Sequence, residues 1–271
     1  MQPNDAPIGV FDSGLGGLTV LQAIRSRLPS ESTVYLGDSA RIPYGPKSAD
    51  TIQRYSRESA AFLAGQGVKV IVVACNTATS LALEDVRDES GLPVLGVIEP
   101  GAEAAASASA GGRIGVIGTI GTIASGAYDT AIRRLRADAV VLAKACPLFV
   151  PLVEEGWTEG EVARLTAEAY LRPLLEDGMD TLVLACTHYP LLADLLQEVV
   201  GPDVRLVSSA QATAGALRNL LGEEGLAAPP EATAEAHYFV TDEAARFSQL
   251  AKRLLGERVK NLARVSVDST V

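Results

Sequence analysis

The sequence predicts an α/β fold made of two similar domains, each a short, mainly parallel sheet flanked by helices, with the candidate site in the cleft between them. Short, continuously apolar segments alternate with helical patterns, which is typical of parallel strands covered on both faces. Two sequence motifs also occur twice, in the same order and at similar spacing, which indicates an internal repeat. The 271 residues are enough for two domains of this kind.

Eight segments are predicted as buried strands. They are Ile8–Phe11, Val34–Leu36, Val70–Val73, Val94–Val97, Ile114–Ile117, Val140–Leu142, Thr181–Leu184 and His237–Val240. Helices are predicted between them because apolar residues recur at helical spacing, as in Leu18–Leu28 and Leu191–Val199. A last helix is predicted from Asp242.

The repeat sets the predicted domain boundaries. The segment IGVFDSGLGG, which starts at Ile8, is matched by IGVIGTIGT, which starts at Ile114. The segment VIVVACNTAT carries Cys75 and is matched by TLVLACTHYP, which carries Cys186. We therefore predict a first domain of residues 1–98 plus 210–271 and a second of residues 99–209. The alternative is that short Val/Ile-rich strands resemble one another in any α/β protein.

Composition excludes several classes of partner. The net charge of -10 offers no basic surface for a nucleic acid. The N-terminus lacks a basic stretch followed by an apolar run, and no apolar run is long enough to span a membrane. We therefore predict a cytoplasmic protein with no membrane partner, in which the three cysteines are reduced thiols.

Two Ala-Cys dipeptides are the strongest candidates for chemistry. Cys75 and Cys186 each end an apolar strand and are followed by a polar pair and a predicted helix. Ligands of open α/β sheets bind beyond the carboxyl ends of the strands, and a helix N-terminus favours a thiolate. A single buried cysteine is commonly structural, but two in matching contexts favour function. Cys146 lacks this context and is interpreted as structural.

Asp12 and His188 are further candidates. Asp12 follows the first strand and opens the Gly-rich segment DSGLGG, which is neither a dinucleotide fingerprint nor a P-loop. Its carboxylate could move a proton or orient a base, or it could cap the next helix, and the residues alone do not separate these readings. His188 lies two residues after Cys186 and could assist that thiol. His237 opens a late strand, where packing or exposure is expected. No metal-ligand spacing is present.

Six segments, in order, resemble the signature segments of the glutamate racemase family. They are GVFDSGLGGLTVL, GDSARIPYGPKS, VVACNTATS, GVIEPGA, ACPLFVPLVEEG and LVLACTHYPLL. The resemblance runs from Ile8 to Leu192, and the last third of the chain matches only loosely. It implies a racemase that interconverts L- and D-glutamate for peptidoglycan synthesis, with no cofactor and no metal. A homodimer is a possible assembly.

The resemblance also implies roles for individual residues. Cys75 and Cys186 are the two proton donors and acceptors, Asp12 supports Cys75, and His188 with Glu154 supports Cys186. The implied substrate-binding residues are Asp12, Ser13, Tyr44, Gly45, Asn76, Thr77, Thr187 and His188. Thr119 is added because it occupies the place of Ser13 in the repeat.

The chemistry explains why such residues are needed. A racemase removes a proton from one face of a carbon and delivers one to the other face, so two acid/base groups must face each other across the substrate. The carbanion beside the carboxylate needs hydrogen-bond donors. The hydroxyl and amide side chains of Ser13, Asn76, Thr77 and Thr187 are suitable.

Three alternatives remain open on the sequence. A racemase of another amino acid, such as aspartate, would carry the same cysteines. A non-catalytic two-domain protein that closes on an amino acid would have the same fold. A thiol redox protein is disfavoured because no CxxC motif is present.

Overall fold

The computed structural model describes residues 3–242, 244–255 and 259–267, which form two lobes, each built around one parallel β-sheet covered by helices. The strands are β1 (Ile8–Asp12), β2 (Thr33–Gly37), β3 (Val70–Val73), β4 (Val94–Gly96), β5 (Arg113–Gly118), β6 (Val140–Ala145), β7 (Thr181–Ala185), β8 (Arg205–Ser208), β9 (Ala236–Val240) and β10 (Leu262–Arg264).

Helices follow most of these strands. They are α1 (Leu18–Arg27), α2 (Ala49–Gly65), α3 (Asn76–Ser90), α4 (Ile98–Ala108), α5 (Ile120–Ala124), α6 (Ala127–Leu135), α7 (Phe149–Glu154), α8 (Glu161–Glu176), α9 (Ala193–Val200), α10 (Ser209–Glu223) and α11 (Ala244–Leu255). Within the described ranges, no helix is both long enough and apolar enough to cross a bilayer.

The repeat is visible in the strand order. The first lobe has the order β10-β9-β2-β1-β3-β4, and the second lobe has β6-β5-β7-β8. All neighbouring pairs are parallel. In each lobe the first strand of the repeat is central and the third lies beside it, so β1 matches β5 and β3 matches β7. The residues that follow these four strands therefore gather at equivalent edges of the two sheets.

Each sheet is covered by apolar clusters on both faces. In the first lobe, Val10 packs with α1 and α10 on one face, and Phe11 packs with α2 and α3 on the other. In the second lobe, Leu182 packs with α7 and α8, and Val183 packs with α4 and α6. Burying such a side chain contributes about 1.5–3 kcal/mol, so these clusters fix the sheet edges that carry the site.

The chain crosses between the lobes at two equivalent helices. Helix α4 follows β4 of the first sheet, but Ala102 packs in the cluster of the second lobe. Helix α10 follows β8 of the second sheet, but Leu217 packs in the cluster of the first lobe. Helices α4 and α10 also contact each other. The connection between the lobes therefore consists of two packed helices and not of an extended linker.

Several expectations about individual elements were wrong. The strand at Val140–Leu142 was expected to be covered on both faces, but β6 is an edge strand and Val140 is exposed. The single helix expected over Leu191–Val199 is a 3-10 turn (Tyr189–Leu192) followed by α9. The helix expected from Asp242 begins at Ala244, and residue 243 lies outside the described residues.

Candidate active site

A small cavity lies between the lobes, where the loops after β1, β3, β5 and β7 meet. Its volume is about 30 Å³. It is lined by Ser13, Ile42, Pro43, Tyr44, Gly45, Cys75, Asn76, Thr77, Thr119, Val150, Glu154, Cys186, Thr187 and His188. A volume of this size holds about two water molecules.

Cys75 lies at the N-terminus of α3 and is 5% exposed. Its sulfur accepts a hydrogen bond from the backbone N–H of Ala78 at 3.5 Å and lies 3.7 Å from the hydroxyl oxygen of Ser13. Burial and then the charge of Asp12 raise the pKa of the thiol to about 12, against the smaller lowering by Ala78 and Ser13. The helix N-terminus lowers the pKa of Cys75 through the Ala78 N–H, in the expected direction, but burial raises it by more.

Cys186 has a different environment. It follows β7, and the 3-10 turn Tyr189–Leu192 comes shortly after it. The α-helix that was expected to begin after Cys186 is therefore not found there. Its sulfur lies 3.9 Å from Nδ1 of His188. Nε2 of His188 lies 3.3 Å from Oε1 of Glu154 in α7, close enough for an ion pair but not aligned for a hydrogen bond. The thiol therefore has a buried histidine beside it, and the histidine has a carboxylate behind it.

The surroundings of His188 favour the imidazolium form of its side chain. Burial alone would lower the pKa of the imidazole, but its contacts with Cys186 and Glu154 and the charges of Cys186 and Asp12 raise it to about 10. The two cysteines consequently differ: burial raises the pKa of Cys75, whereas Cys186 has the His188 side chain beside it.

Asp12 does not line the cavity. Its carboxylate accepts hydrogen bonds from the backbone N–H of Gly14 at 3.0 Å and from the hydroxyl of Thr187 at 3.3 Å. Full burial raises the pKa of Asp12, and the charge of His188 and these hydrogen bonds oppose that rise. Asp12 therefore lies behind Ser13 and joins the end of β1 to the Thr187 loop of the other lobe.

Three threonine hydroxyls meet across the lobe boundary. The Oγ1 atoms of Thr77 and Thr119 are 2.9 Å apart, those of Thr77 and Thr122 are 3.2 Å apart, and those of Thr119 and Thr122 are 3.0 Å apart. Thr77 belongs to the first lobe, and the other two belong to the second. The cluster connects the two lobes, and Thr77 and Thr119 of the cluster line the cavity.

The loop with Tyr44 and Gly45 is held by the buried carboxylate of Asp38, which does not line the cavity. The hydroxyl of Tyr44 donates to Asp38 at 2.5 Å, and Nε of Arg41 donates to the same oxygen at 2.7 Å. Gly45 then reaches the other lobe, where its carbonyl accepts from the backbone N–H of Gly121 at 2.9 Å. A Cβ at Gly45 would lie 2.8 Å from Cβ of Thr119, so this close approach requires glycine.

All but one of the residues predicted for the site line the cavity. The exception is Asp12, which contacts Thr187 instead. Sequence reasoning missed Ile42, Pro43 and Val150, which are apolar and carry no chemical signal. It also missed residues behind the wall, such as Thr122 and Asp38, whose positions depend on tertiary packing. Cys146 is buried and His237 is half-exposed, and both lie outside the cavity.

An apolar cavity of about 380 Å³ adjoins the site. It shares Ile42, Pro43 and Val150 with the site and adds Pro147 and Pro151. Among the residues that the structure describes, no three His, Cys, Asp or Glu side chains are grouped so that they could hold a metal ion.

Comparisons with known proteins agree with this geometry. Residues 16–217 match the model of the Asp/Glu/hydantoin racemase family. The chain is 51% identical over 262 residues to the glutamate racemase of Geobacter metallireducens, with 97% of each chain covered. The structure of the glutamate racemase isoform RacE1 from Bacillus anthracis superposes with a TM-score of 0.93 at 39% identity, covering 97% of this chain and 98% of that one. The glutamate racemase of Francisella tularensis in complex with D-glutamate gives a TM-score of 0.91 at 36% identity, covering 98% and 99%.

Proposed function

Since the chain belongs to the Asp/Glu/hydantoin racemase family and is a racemase, we propose that it interconverts L- and D-glutamate by a two-base reaction with Cys75 and Cys186. The observation that carries the proposal is that both thiols, which come from equivalent places in the two repeated lobes, line one cavity. The structural relative from Francisella tularensis binds D-glutamate, which supports the substrate.

In the direction from L- to D-glutamate, Cys186 is the base. The imidazolium of His188 balances its negative charge, and Glu154 holds the imidazolium in place. The Cα–H bond breaks, the proton moves to the Cys186 sulfur, and its electron pair remains on the substrate. Cys75, which keeps its proton because its pKa is about 12, then gives that proton to the opposite face of Cα. The enzyme is left with a Cys75 thiolate and a Cys186 thiol.

In the opposite direction the roles reverse. Cys75 as a thiolate removes the proton of D-glutamate, and the Cys186 thiol protonates the other face. The charge of Asp12 is part of the reason that the pKa of Cys75 is high, and a high pKa makes the thiolate a stronger base once it forms. Asp12 thus supports Cys75 through its field, without touching the substrate.

The donors around the cavity stabilise the anionic substrate and its carbanion. Among the described residues, no lysine or arginine lines the cavity, so the substrate carboxylates are held by neutral donors. Ser13, Asn76, Thr77, Thr119 and Thr187 provide hydroxyl and amide groups, and Tyr44 and Gly45 close the wall. Donors placed before the charge develops lower the barrier without reorganisation.

Deuterium exchange tests the function directly. The protein is incubated with L-glutamate in heavy water, and we expect D-glutamate to form with deuterium at Cα. Cys75→Ser and Cys186→Ser should each lower racemisation by about 10³-fold, because removing one acid/base group typically costs about 10²–10⁴-fold. Cys146→Ser is the matched control, since that thiol is buried but lies outside the cavity. Binding of glutamate without exchange would show a non-catalytic binding protein.

The substrate, the location and the domain division are part of the same proposal. Aspartate as a substrate is less favoured, because the relatives at 36–51% identity are glutamate racemases. We propose that the domains are residues 1–98 plus 210–271 and residues 99–209, on the packing of α4 and α10. A role in supplying D-glutamate for peptidoglycan, a cytoplasmic location and a homodimer stay predictions.

A further inference from the structure

Asn76 has a buried donor that no described part of the chain satisfies. Its side chain is 2% exposed and lines the cavity, and its Nδ2 atom has no hydrogen-bond partner among the described residues. Buried polar groups are nearly always paired, so an orphan donor at a cavity indicates a ligand acceptor. The substrate carboxylates are the acceptors that the proposed function supplies.

The other end of the same amide is fixed by a residue of the opposite lobe. The hydroxyl of Tyr128, in α6, donates to Oδ1 of Asn76 at 2.8 Å. Because the phenolic proton is donated to Oδ1, the amide turns its oxygen to Tyr128 and its NH₂ group to the cavity.

The position of the Tyr128 hydroxyl is tightly enclosed. Gly101 lies inside α4, where glycine is unfavourable by about 1 kcal/mol relative to alanine. A Cβ at Gly101 would lie 2.9 Å from the Tyr128 hydroxyl oxygen and 3.2 Å from Cβ of Ser209. The glycine therefore gives the hydroxyl its space, and any side chain there would displace it.

We propose that Tyr128 is a positioning residue that sets the orientation of the Asn76 amide, so that its NH₂ group is presented to a carboxylate of the substrate. Tyr128 and Asn76 belong to different lobes, so the orientation of the amide depends on how the lobes are arranged. Gly101 leaves the Tyr128 hydroxyl the space that it occupies. The inference rests on the proposed function, because it assumes a carboxylate substrate in the cavity.

Kinetics of Tyr128→Phe test the proposal. Phenylalanine keeps the buried ring but removes the hydroxyl, so the amide loses its fixed orientation. We expect KM for glutamate to rise about tenfold, the scale of one hydrogen bond to a charged group, with kcat changed by less than about threefold. Gly101→Ala should raise KM similarly, although alanine favours the helix. Tyr170→Phe and Gly215→Ala are matched controls, because the Tyr170 hydroxyl accepts from Leu148 and nothing lies within 4 Å of a Cβ at Gly215.

A double-mutant cycle separates positioning from a purely structural role. If Tyr128 acts through Asn76, then Tyr128→Phe added to Asn76→Ala should change KM by less than about twofold. Additive effects, or an unchanged KM in a folded Tyr128→Phe protein, would overturn the proposal. If Tyr128→Phe fails to fold, an unchanged KM in Gly101→Ala has the same meaning. The wild type is measured in the same assay, and its failure to racemise would instead refute the proposed function.

Discussion

Replacing His188 with asparagine removes a buried positive charge from beside one thiol and leaves the other thiol untouched. The Nδ1 atom lies 3.9 Å from the Cys186 sulfur. At an effective dielectric constant of about 20, two unit charges at this separation attract by about 4 kcal/mol, which corresponds to about 10³-fold in a rate. Part of this lost attraction is offset, because the variant no longer has the free-energy cost of burying a charge. We therefore expect proton abstraction by Cys186 to fall about 10²-fold.

Racemisation rates cannot reveal which thiol is damaged. The two enantiomers have equal free energies, so kcat/KM must be the same in both directions in every variant. Elimination from glutamate with chloride on Cβ needs only one proton abstraction, and the released 2-oxoglutarate can be followed for each enantiomer at Cα. With His188→Asn, elimination from the L enantiomer should fall about 10²-fold, because the charge beside Cys186 is lost. Elimination from the D enantiomer should fall less than tenfold.

The control is His237→Asn, the same change at the half-exposed histidine outside the cavity. It should leave both elimination rates unchanged. If His188→Asn lowers the two rates by the same factor, the assignment of His188 to Cys186 is refuted, whatever the total loss of activity.

Two further predictions concern stability. The pKa of His188 is about 10 in the folded protein, against 6.5 for an unperturbed histidine. Its contribution to the free energy of unfolding is therefore complete below pH 6.5 and is lost as the pH rises through 10. Between neutral and alkaline pH, the urea midpoint should fall more in the wild type than in His188→Asn. Lys69 lies 2.6 Å from Glu31, and both side chains are almost fully buried. Lys69→Met should lower the free energy of unfolding by about 3–5 kcal/mol, against less than about 1 kcal/mol for Arg57→Met at the exposed pair with Asp85. A smaller loss at Lys69 than at Arg57 would contradict the role of burial.

The strands that carry the site were predictable because their apolar runs are continuous. Val70–Val73 was predicted with its exact ends, since both faces of β3 are buried. The strands β8 and β10 were missed, because both are edge strands with at most one buried residue and with exposed residues such as Arg205 and Arg264. An edge strand needs apolar residues on one face only, so its sequence is not distinguished from a loop.

The electrostatics of the site were less predictable than its composition. The helix that begins after Cys75 was visible in the sequence, but the burial that raises the pKa of Cys75 to about 12 is a property of the folded protein. The pairing of Glu154 with His188 came only from the family resemblance, because one glutamate among many carries no local signal. Tyr128 also had none, since the contact with Asn76 spans the two lobes.

The small volume of the cavity, about 30 Å³, has a consequence for the speed of turnover. We expect the lobes to move apart for substrate and product to pass, and motions of this kind occur on the microsecond to millisecond scale. The packed helices α4 and α10 connect the lobes and are the candidate hinge for this motion. Their rotation against each other would move one lobe relative to the other through the solvent. An added viscogen should therefore lower kcat of the wild type. It should leave kcat unchanged in a variant limited by proton transfer, such as Cys75→Ser.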